Sequence, residues 1–141
     1  MSIPEDKQEP STPVQENRKP AVLIIEDDEN IAMMLKYLIG REGFNPVIVP
    51  DGREAVDRVE RYKAPALILM DMKLPFVDGF RLVQMVRERS GWEQVPIIML
   101  TSVTEERMIS RALEAGANDY VVKPFQTLDL LARVRRYARR K

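Results

Sequence analysis

Five polar residues in this sequence could carry out chemistry together, and each follows an apolar run. Glu26 and Asp27 follow Ala-Val-Leu-Ile-Ile, Asp71 follows Leu-Ile-Leu-Met, Thr101 follows Pro-Ile-Ile-Met-Leu, and Lys123 follows Tyr-Val-Val. Three carboxylates in one crevice repel one another, and a hard divalent cation such as Mg²⁺ relieves that repulsion. A hydroxyl and an amine beside the metal could neutralise the oxygens of a phosphoryl group. The residue types therefore indicate phosphoryl chemistry at Asp71.

The elements that must position these residues alternate between strand and helix patterns. Continuous apolar runs predict buried strands at 21–25, 47–49, 66–70, 96–100 and 120–122. Apolar residues at helical spacing predict helices through 31–39, 55–59, 80–86, 108–113 and 128–138. This alternation requires right-handed crossovers and a parallel sheet, so we predict an α/β fold, a doubly wound three-layer (βα)5 sandwich. A closed eight-stranded barrel would need nearly twice the chain.

All five polar residues fall at the carboxyl ends of the predicted strands. The carboxyl ends of parallel strands share one edge, and ligands bind in the crevice beyond that edge in open α/β sheets. If the first strand neighbours the third, Glu26, Asp27 and Asp71 meet in one crevice. The order of the strands therefore decides whether the site exists.

Composition excludes several classes of function. The 141 residues have 22 acids, 22 bases and a formal net charge of zero, so no overall field draws the chain to nucleic acid or an anionic membrane. The chain has no cysteine and no histidine, which excludes thiolate sites, and any phosphohistidine must come from another protein. No run is long enough for a membrane helix and no signal peptide begins the sequence, so we expect a cytoplasmic location without membrane contact.

The chain divides into a tail and one domain. Residues 1–19 contain three prolines, many polar residues and no periodicity, which predicts a flexible N-terminal tail. Residues 20–141 have the length and the 45% hydrophobic content of a single domain with one core.

Four motifs in order resemble the receiver domain of two-component response regulators. They are the acidic pair at 26–27, Leu-Met-Asp-Met-Lys-Leu-Pro with Asp78-Gly79 beyond it, Thr101-Ser102, and Ala-Gly-Ala-Asn-Asp-Tyr-Val-Val-Lys-Pro-Phe at 115–125. The likeness covers residues 21 to about 138. It implies the flavodoxin-like strand order 2-1-3-4-5 of chemotaxis receivers.

The resemblance implies a phosphorylation switch. Asp71 would take a phosphoryl group from a phosphohistidine of a sensor histidine kinase or phosphotransfer protein, or from acetyl phosphate. Mg²⁺ would be held by Asp27, Asp71 and the backbone carbonyl of Lys73, with Glu26 contributing directly or through water. Turnover would be limited to self-phosphorylation and slow autodephosphorylation, so conventional enzyme activity is not expected.

The resemblance also implies how the switch is read. Thr101 and Lys123 would bind the phosphoryl oxygens, and Tyr120 would rotate inward as the Thr101 hydroxyl moves. The surface formed by the fourth helix, fifth strand and fifth helix would then shift toward a second packing and control an output protein or domain. The Lys123–Pro124 peptide bond is expected to be cis, as in the family.

Other interpretations of these residues stay open. Asp28 and Glu29 suit the first turn of a helix, and Ser102 with Glu105 fits a capping box. The chain could be a pseudo-receiver that acts only as an interaction scaffold. A Mg²⁺-dependent phosphohydrolase is a weaker alternative, because those enzymes place a second acid where this chain has Lys73.

The end of the chain is basic. Its cationic residues are Arg133, Arg135, Arg136, Arg139, Arg140 and Lys141. Cations near a helix C-terminus are stabilised by the helix dipole, so the simplest prediction is that these basic side chains are exposed to solvent. The functional alternative is a homodimer like that of the winged-helix subfamily, with Asp119, Asp129, Arg133 and Arg140 at matching positions and Ile109 where that pattern has lysine. Direct nucleic-acid binding by this domain is not expected.

Overall fold

The computed structural model describes residues 19–102 and 106–138, in which five strands and five helices alternate. The strands are β1 (Ala21–Ile25), β2 (Asn45–Val49), β3 (Leu67–Asp71), β4 (Ile97–Thr101) and β5 (Asp119–Val122). The helices are α1 (Glu29–Arg41), α2 (Gly52–Arg61), α3 (Gly79–Glu88), α4 (Glu106–Ala115) and α5 (Thr127–Tyr137). Every predicted element is present. The predicted flexible tail lies outside the described residues, apart from Lys19.

The sheet is parallel and its order is β2-β1-β3-β4-β5, which confirms the predicted fold. Ile25 of β1 lies opposite Met70 of β3, so the residues that follow them, Glu26 and Asp71, leave the sheet at the same level. Thr101 lies opposite Val122, directly before Lys123. The register therefore delivers the candidate residues to one edge.

Both faces of the sheet are covered by helices, which explains the uninterrupted apolar strands. One hydrophobic cluster packs beneath α2, α3 and α4, and a second packs beneath α1 and α5. Alternate residues of each central strand enter opposite clusters, because strand side chains point to the two faces in turn. In β3, Ile68 and Met70 join the first cluster, whereas Leu67 and Leu69 join the second.

Aspartates cap the N-termini of three of the described helices. Asp28 caps α1 by accepting from the backbone amides of Asn30 and Ile31 at 2.9 and 3.0 Å, and Asp51 and Asp78 cap α2 and α3. Such caps satisfy amides that have no partner within the helix. The acidic run at 26–29 is therefore divided, with Asp28 serving the helix as expected. The capping box of Ser102 involves Glu105, which lies outside the described residues.

Two strand ends extend one residue beyond their prediction. Asp71 and Thr101 are the last residues of β3 and β4, because the backbone ladder continues past the apolar runs. Met72 N donates to Leu100 O at 3.1 Å, and Lys123 N donates to Thr101 O at 2.7 Å. Both candidate side chains therefore belong to residues with hydrogen-bonded backbone.

One peptide bond and the lengths of the helices complete the description of the fold. The Lys123–Pro124 peptide bond is cis, which confirms that expectation. Within the ranges 19–102 and 106–138, none of the helices has the length and apolarity that crossing a membrane requires.

Candidate functional site

Three carboxylates meet at the carboxyl edge of the sheet. One oxygen from each of Glu26, Asp27 and Asp71 lies within 4.8 Å of the other two. Glu26 is 2% exposed and Asp71 is 9% exposed, whereas Asp27 is open to solvent. The adjacency of β1 and β3 thus brings together the acids that the sequence placed at separate strand ends.

Lys123 joins two of these acids. Its Nζ donates to Glu26 Oε1 and to Asp71 Oδ2, both at 3.1 Å. Burial lowers the pKa of Lys123, but the hydrogen bonds and charges of Asp71 and Glu26 outweigh it, so its pKa lies above the ordinary value. The amine is therefore positively charged at neutral pH and forms ion pairs with both Glu26 and Asp71.

Glu26 is the most constrained of the acids. Burial raises its pKa above the ordinary value, and the neighbouring charge of Asp71 raises it further. The backbone amide of Asp28, which donates to Oε2 at 3.1 Å, and the amine of Lys123 offset only part of that increase. Ionisation of Glu26 is thus less favourable here than in water, and a cation in the crevice would favour the ionised form.

Both oxygens of Asp71 accept hydrogen bonds. Oδ2 accepts from Lys123, and Oδ1 accepts from the backbone amide of Lys73 at 3.2 Å. The side chain of Lys73 is exposed. The acid is therefore tied to the loop that follows β3 as well as to the amine of Lys123.

Thr101 and Tyr120 belong to the same face of the sheet. Thr101 is 1% exposed, and its hydroxyl donates weakly to Met72 Sδ at 3.8 Å. Tyr120 lies opposite Met99 and packs, half-buried, against the cluster beneath α2, α3 and α4. Residues two apart in a strand share a face, so Thr101 and Met99 point the same way as Tyr120. The two predicted switch residues, Thr101 and Tyr120, therefore lie on the face of the sheet that α2, α3 and α4 cover.

The loop between β3 and α3 packs on the first turn of α2, which the sequence did not predict. Gly52 N donates to Pro75 O at 3.1 Å, and the guanidinium carbon of Arg53 lies 3.7 Å from the centre of the Phe76 ring. Pro75, Asp78 and Gly79 predict a turn, but no local pattern pairs Arg53 with a residue 23 positions away.

The basic residues of α5 pair within the chain. Arg133 donates to both carboxylate oxygens of Asp119 at 2.8 Å and to Asp129 at 3.0 Å. Arg135 forms a two-pronged ion pair with Glu42, at 2.7 and 3.0 Å. The guanidinium carbon of Arg136 lies 5.6 Å from the centre of the Tyr137 ring, and the basic residues at 139–141 lie outside the described residues.

Comparison with known proteins identifies the family. A family model of the response regulator receiver domain matches residues 22–135. This chain belongs to the response regulator receiver family. Receiver domains are phosphorylated on an aspartate in two-component systems, and they are generally not conventional enzymes.

Several relatives resemble this receiver along most of its length. It is 41% identical over 121 residues to the phosphate regulon transcriptional regulatory protein PhoB of Rhizobium meliloti, and the match covers 86% of this chain and 53% of PhoB. It is 40% identical over 119 residues to the DNA-binding response regulator MtrA of Mycolicibacterium smegmatis, covering 84% of this chain and 50% of MtrA. The receiver thus spans about half the length of these relatives.

A solved structure carries the same fold together with a metal. The receiver domain of sensor histidine kinase PA1611 from Pseudomonas aeruginosa, described with a magnesium ion coordinated in its active-site cleft, has a TM-score of 0.77. It is 31% identical, and the match covers 85% of this chain and 98% of that one. The chemotaxis response regulator CheY4 of Vibrio cholerae has a TM-score of 0.78 at 29% identity, covering 84% of this chain and 98% of CheY4.

Proposed function

We propose that Asp71 is the phosphoacceptor of this receiver and that its phosphoryl donor is a phosphohistidine of a sensor histidine kinase or phosphotransfer protein. The observation that carries the proposal is the convergence on Asp71 of one amine and two further carboxylates at the open edge of the sheet. An aspartate that only started the turn after β3 would need neither the amine nor the two further carboxylates beside it.

The transfer is a displacement at phosphorus. A carboxylate oxygen of Asp71 attacks, the P–N bond of the donor breaks, and its electrons stay on the imidazole nitrogen, which takes a proton from water. The product is an acyl phosphate. The amine of Lys123 and the hydroxyl of Thr101 then bind the phosphoryl oxygens and balance their charge.

The residues present fit a magnesium ion. Three carboxylates that supply hard oxygen donors lie within 4.8 Å of one another, and one of them is buried with a raised pKa. Asp27, Asp71 and the carbonyl of Lys73 would hold the ion, with Glu26 contributing directly or through water. When bound, the ion supplies positive charge against the phosphoryl oxygens.

The readout surface consists of α4, β5 and α5. Among the described residues of α4, only Ala112 is fully buried, and Leu113 is 40% exposed. An element with so little burial can move at modest cost in free energy. Inward rotation of Tyr120 toward Thr101 would alter the packing beneath α4 and thereby the surface offered to an output protein or domain.

A homodimer through the same surface extends this proposal. Arg133 would exchange Asp119 and Asp129 of its own chain for acids of a second copy. Arg140 lies outside the described residues, and Ile109 supplies no charge.

The proposed domain, residues 20–141, acts in the cytoplasm and makes no direct contact with nucleic acid or membrane. It loses its phosphoryl group by slow autodephosphorylation.

Phosphorylation by acetyl phosphate with Mg²⁺ tests the assignment. Intact-mass measurement should detect one added phosphoryl group in the wild type and none in Asp71→Asn. Asp57→Asn is the matched control, since Asp57 is an exposed acid on α2 paired with Arg61. Uptake that persists in Asp71→Asn contradicts the assignment. No uptake in the wild type favours the scaffold, and continuous release of phosphate favours the phosphohydrolase.

A further inference from the structure

The loop after Asp71 contains a strained turn. Phe76 has a φ of 77°, and Val77 N donates to Pro75 O at 2.9 Å across it. This is a γ-turn with a bulky residue in the left-handed region, a costly conformation that persists only where its surroundings enforce it.

The first turn of α2 holds the loop in this conformation. The carbonyl oxygen of Pro75 accepts a second hydrogen bond, from Gly52 N at 3.1 Å. A Cβ on Gly52 would lie 2.5 Å from Val77 Cβ, so the absence of a side chain at position 52 lets the loop seat directly on the helix. Arg53 then covers the ring of Phe76 at 3.7 Å, although Phe76 is 65% exposed.

We propose that Arg53 and Phe76 are positioning residues for the metal site. The proposal rests on the proposed function, which assigns the carbonyl of Lys73 to Mg²⁺. The loop is fixed at one end where Lys73 N donates to Asp71 and at the other end by the contact between Arg53 and Phe76. Only Leu74 and Pro75 lie between Lys73 and Phe76, and the fixed φ of Pro75 stiffens that link. Loss of the stack lets the turn relax, which displaces the carbonyl of Lys73 from the acids.

Calorimetric titration with MgCl₂ tests the role without phosphorylation. An exposed cation–π pair is worth about 0.5–1 kcal/mol, so Arg53→Ala and Phe76→Ala should each raise the Mg²⁺ dissociation constant about two- to five-fold. Arg53→Lys and Phe76→Tyr, which keep a cation and a ring, should stay near the wild type. In the metal-free protein, the amides of Gly52 and Val77 should exchange hydrogen faster in Arg53→Ala.

Arg58 provides the matched control. It makes the same kind of stack on the same helix, 3.9 Å over the ring of Tyr62, at the end away from the loop. Arg58→Ala should leave Mg²⁺ binding unchanged. The proposal is overturned if Arg53→Ala binds Mg²⁺ like the wild type, if Arg58→Ala weakens binding equally, or if the wild type binds no Mg²⁺.

The two proposals fail separately. A wild type that takes up no phosphoryl group, while Arg53→Ala still weakens Mg²⁺ binding, refutes the proposed function and keeps the positioning role. Normal phosphorylation with unchanged Mg²⁺ affinity in Arg53→Ala refutes only the positioning role.

Discussion

At the scale of single residues, Glu26 explains why the centre favours a cation. Its carboxylate is buried beside Asp71, and the single amine of Lys123 is shared between the two acids. Burial raises the pKa of Glu26, so the folded state binds a proton there more tightly than the unfolded state does. The metal-free protein therefore retains an acid that is poorly stabilised in its charged form.

The first prediction concerns pH. Because the folded pKa of Glu26 is raised, its contribution to the free energy of unfolding is greatest below the ordinary pKa of 4.5 and declines as pH rises through the raised value. Glu26→Gln should remove that decline. Urea unfolding without metal, from about pH 4 to about pH 8, measures it. Equal pH slopes in the two proteins would show that Glu26 makes no such contribution.

At the scale of elements, Arg87 ties α3 to the turn before β5. Its guanidinium donates to the carbonyl of Gly116 at 3.0 and 2.7 Å, to that of Val95 at 2.7 Å, and to Asn118 Oδ1 at 2.9 Å. Burial lowers the pKa of Arg87, and none of these partners is a carboxylate. Its role is to satisfy carbonyl groups at the end of the sheet opposite the candidate site.

The second prediction follows from those bonds. Arg87→Met keeps most of the side-chain volume but leaves the carbonyls unpaired, and it should lower the free energy of unfolding by about 2–4 kcal/mol. Urea unfolding measures the loss. Arg61→Ala removes an exposed pair with Asp57 and should change stability by less than about 0.5 kcal/mol. Similar losses in the two variants would contradict a special role for Arg87.

The elements and the edge that carries the candidate residues could be predicted from sequence because their signals are local. The apolar runs predict strands buried on both faces, and the polar residue after each run predicts the candidate edge, where Asp71 and Lys123 do meet. The exact strand ends were not, since backbone pairing of Asp71 and Thr101 is independent of side-chain polarity. The contacts of Arg53 and Arg87 join distant segments and leave no periodic pattern.

At the scale of the whole molecule, the candidate site links residues from 26 to 123 of the chain. Its groups come from the ends of β1, β3, β4 and β5, so the site exists only when these four strands are paired. Binding a cation there should therefore stabilise the entire fold and not one loop.

The third prediction is a metal-dependent melting temperature. At a Mg²⁺ concentration ten times the dissociation constant, the gain is about 1.4 kcal/mol, which should raise Tm by roughly 4–8 °C. Thermal unfolding with MgCl₂, against NaCl at equal ionic strength, measures it. Asp27→Asn should reduce the shift with little effect on the metal-free Tm, because Asp27 is exposed. An equal shift in Asp27→Asn would exclude that acid from the metal site.

The strand order also has a consequence during synthesis on the ribosome. The first strand made, β1, ends in the interior of the sheet, and β3, β4 and β5 then join on one side in the order in which they are translated. Asp71 is thus made long before its amine, since Lys123 emerges only after β5. A nascent chain stalled before that lysine has the three acids but lacks the amine that pairs with Glu26 and Asp71. The candidate centre is therefore completed only after the final strand has been made.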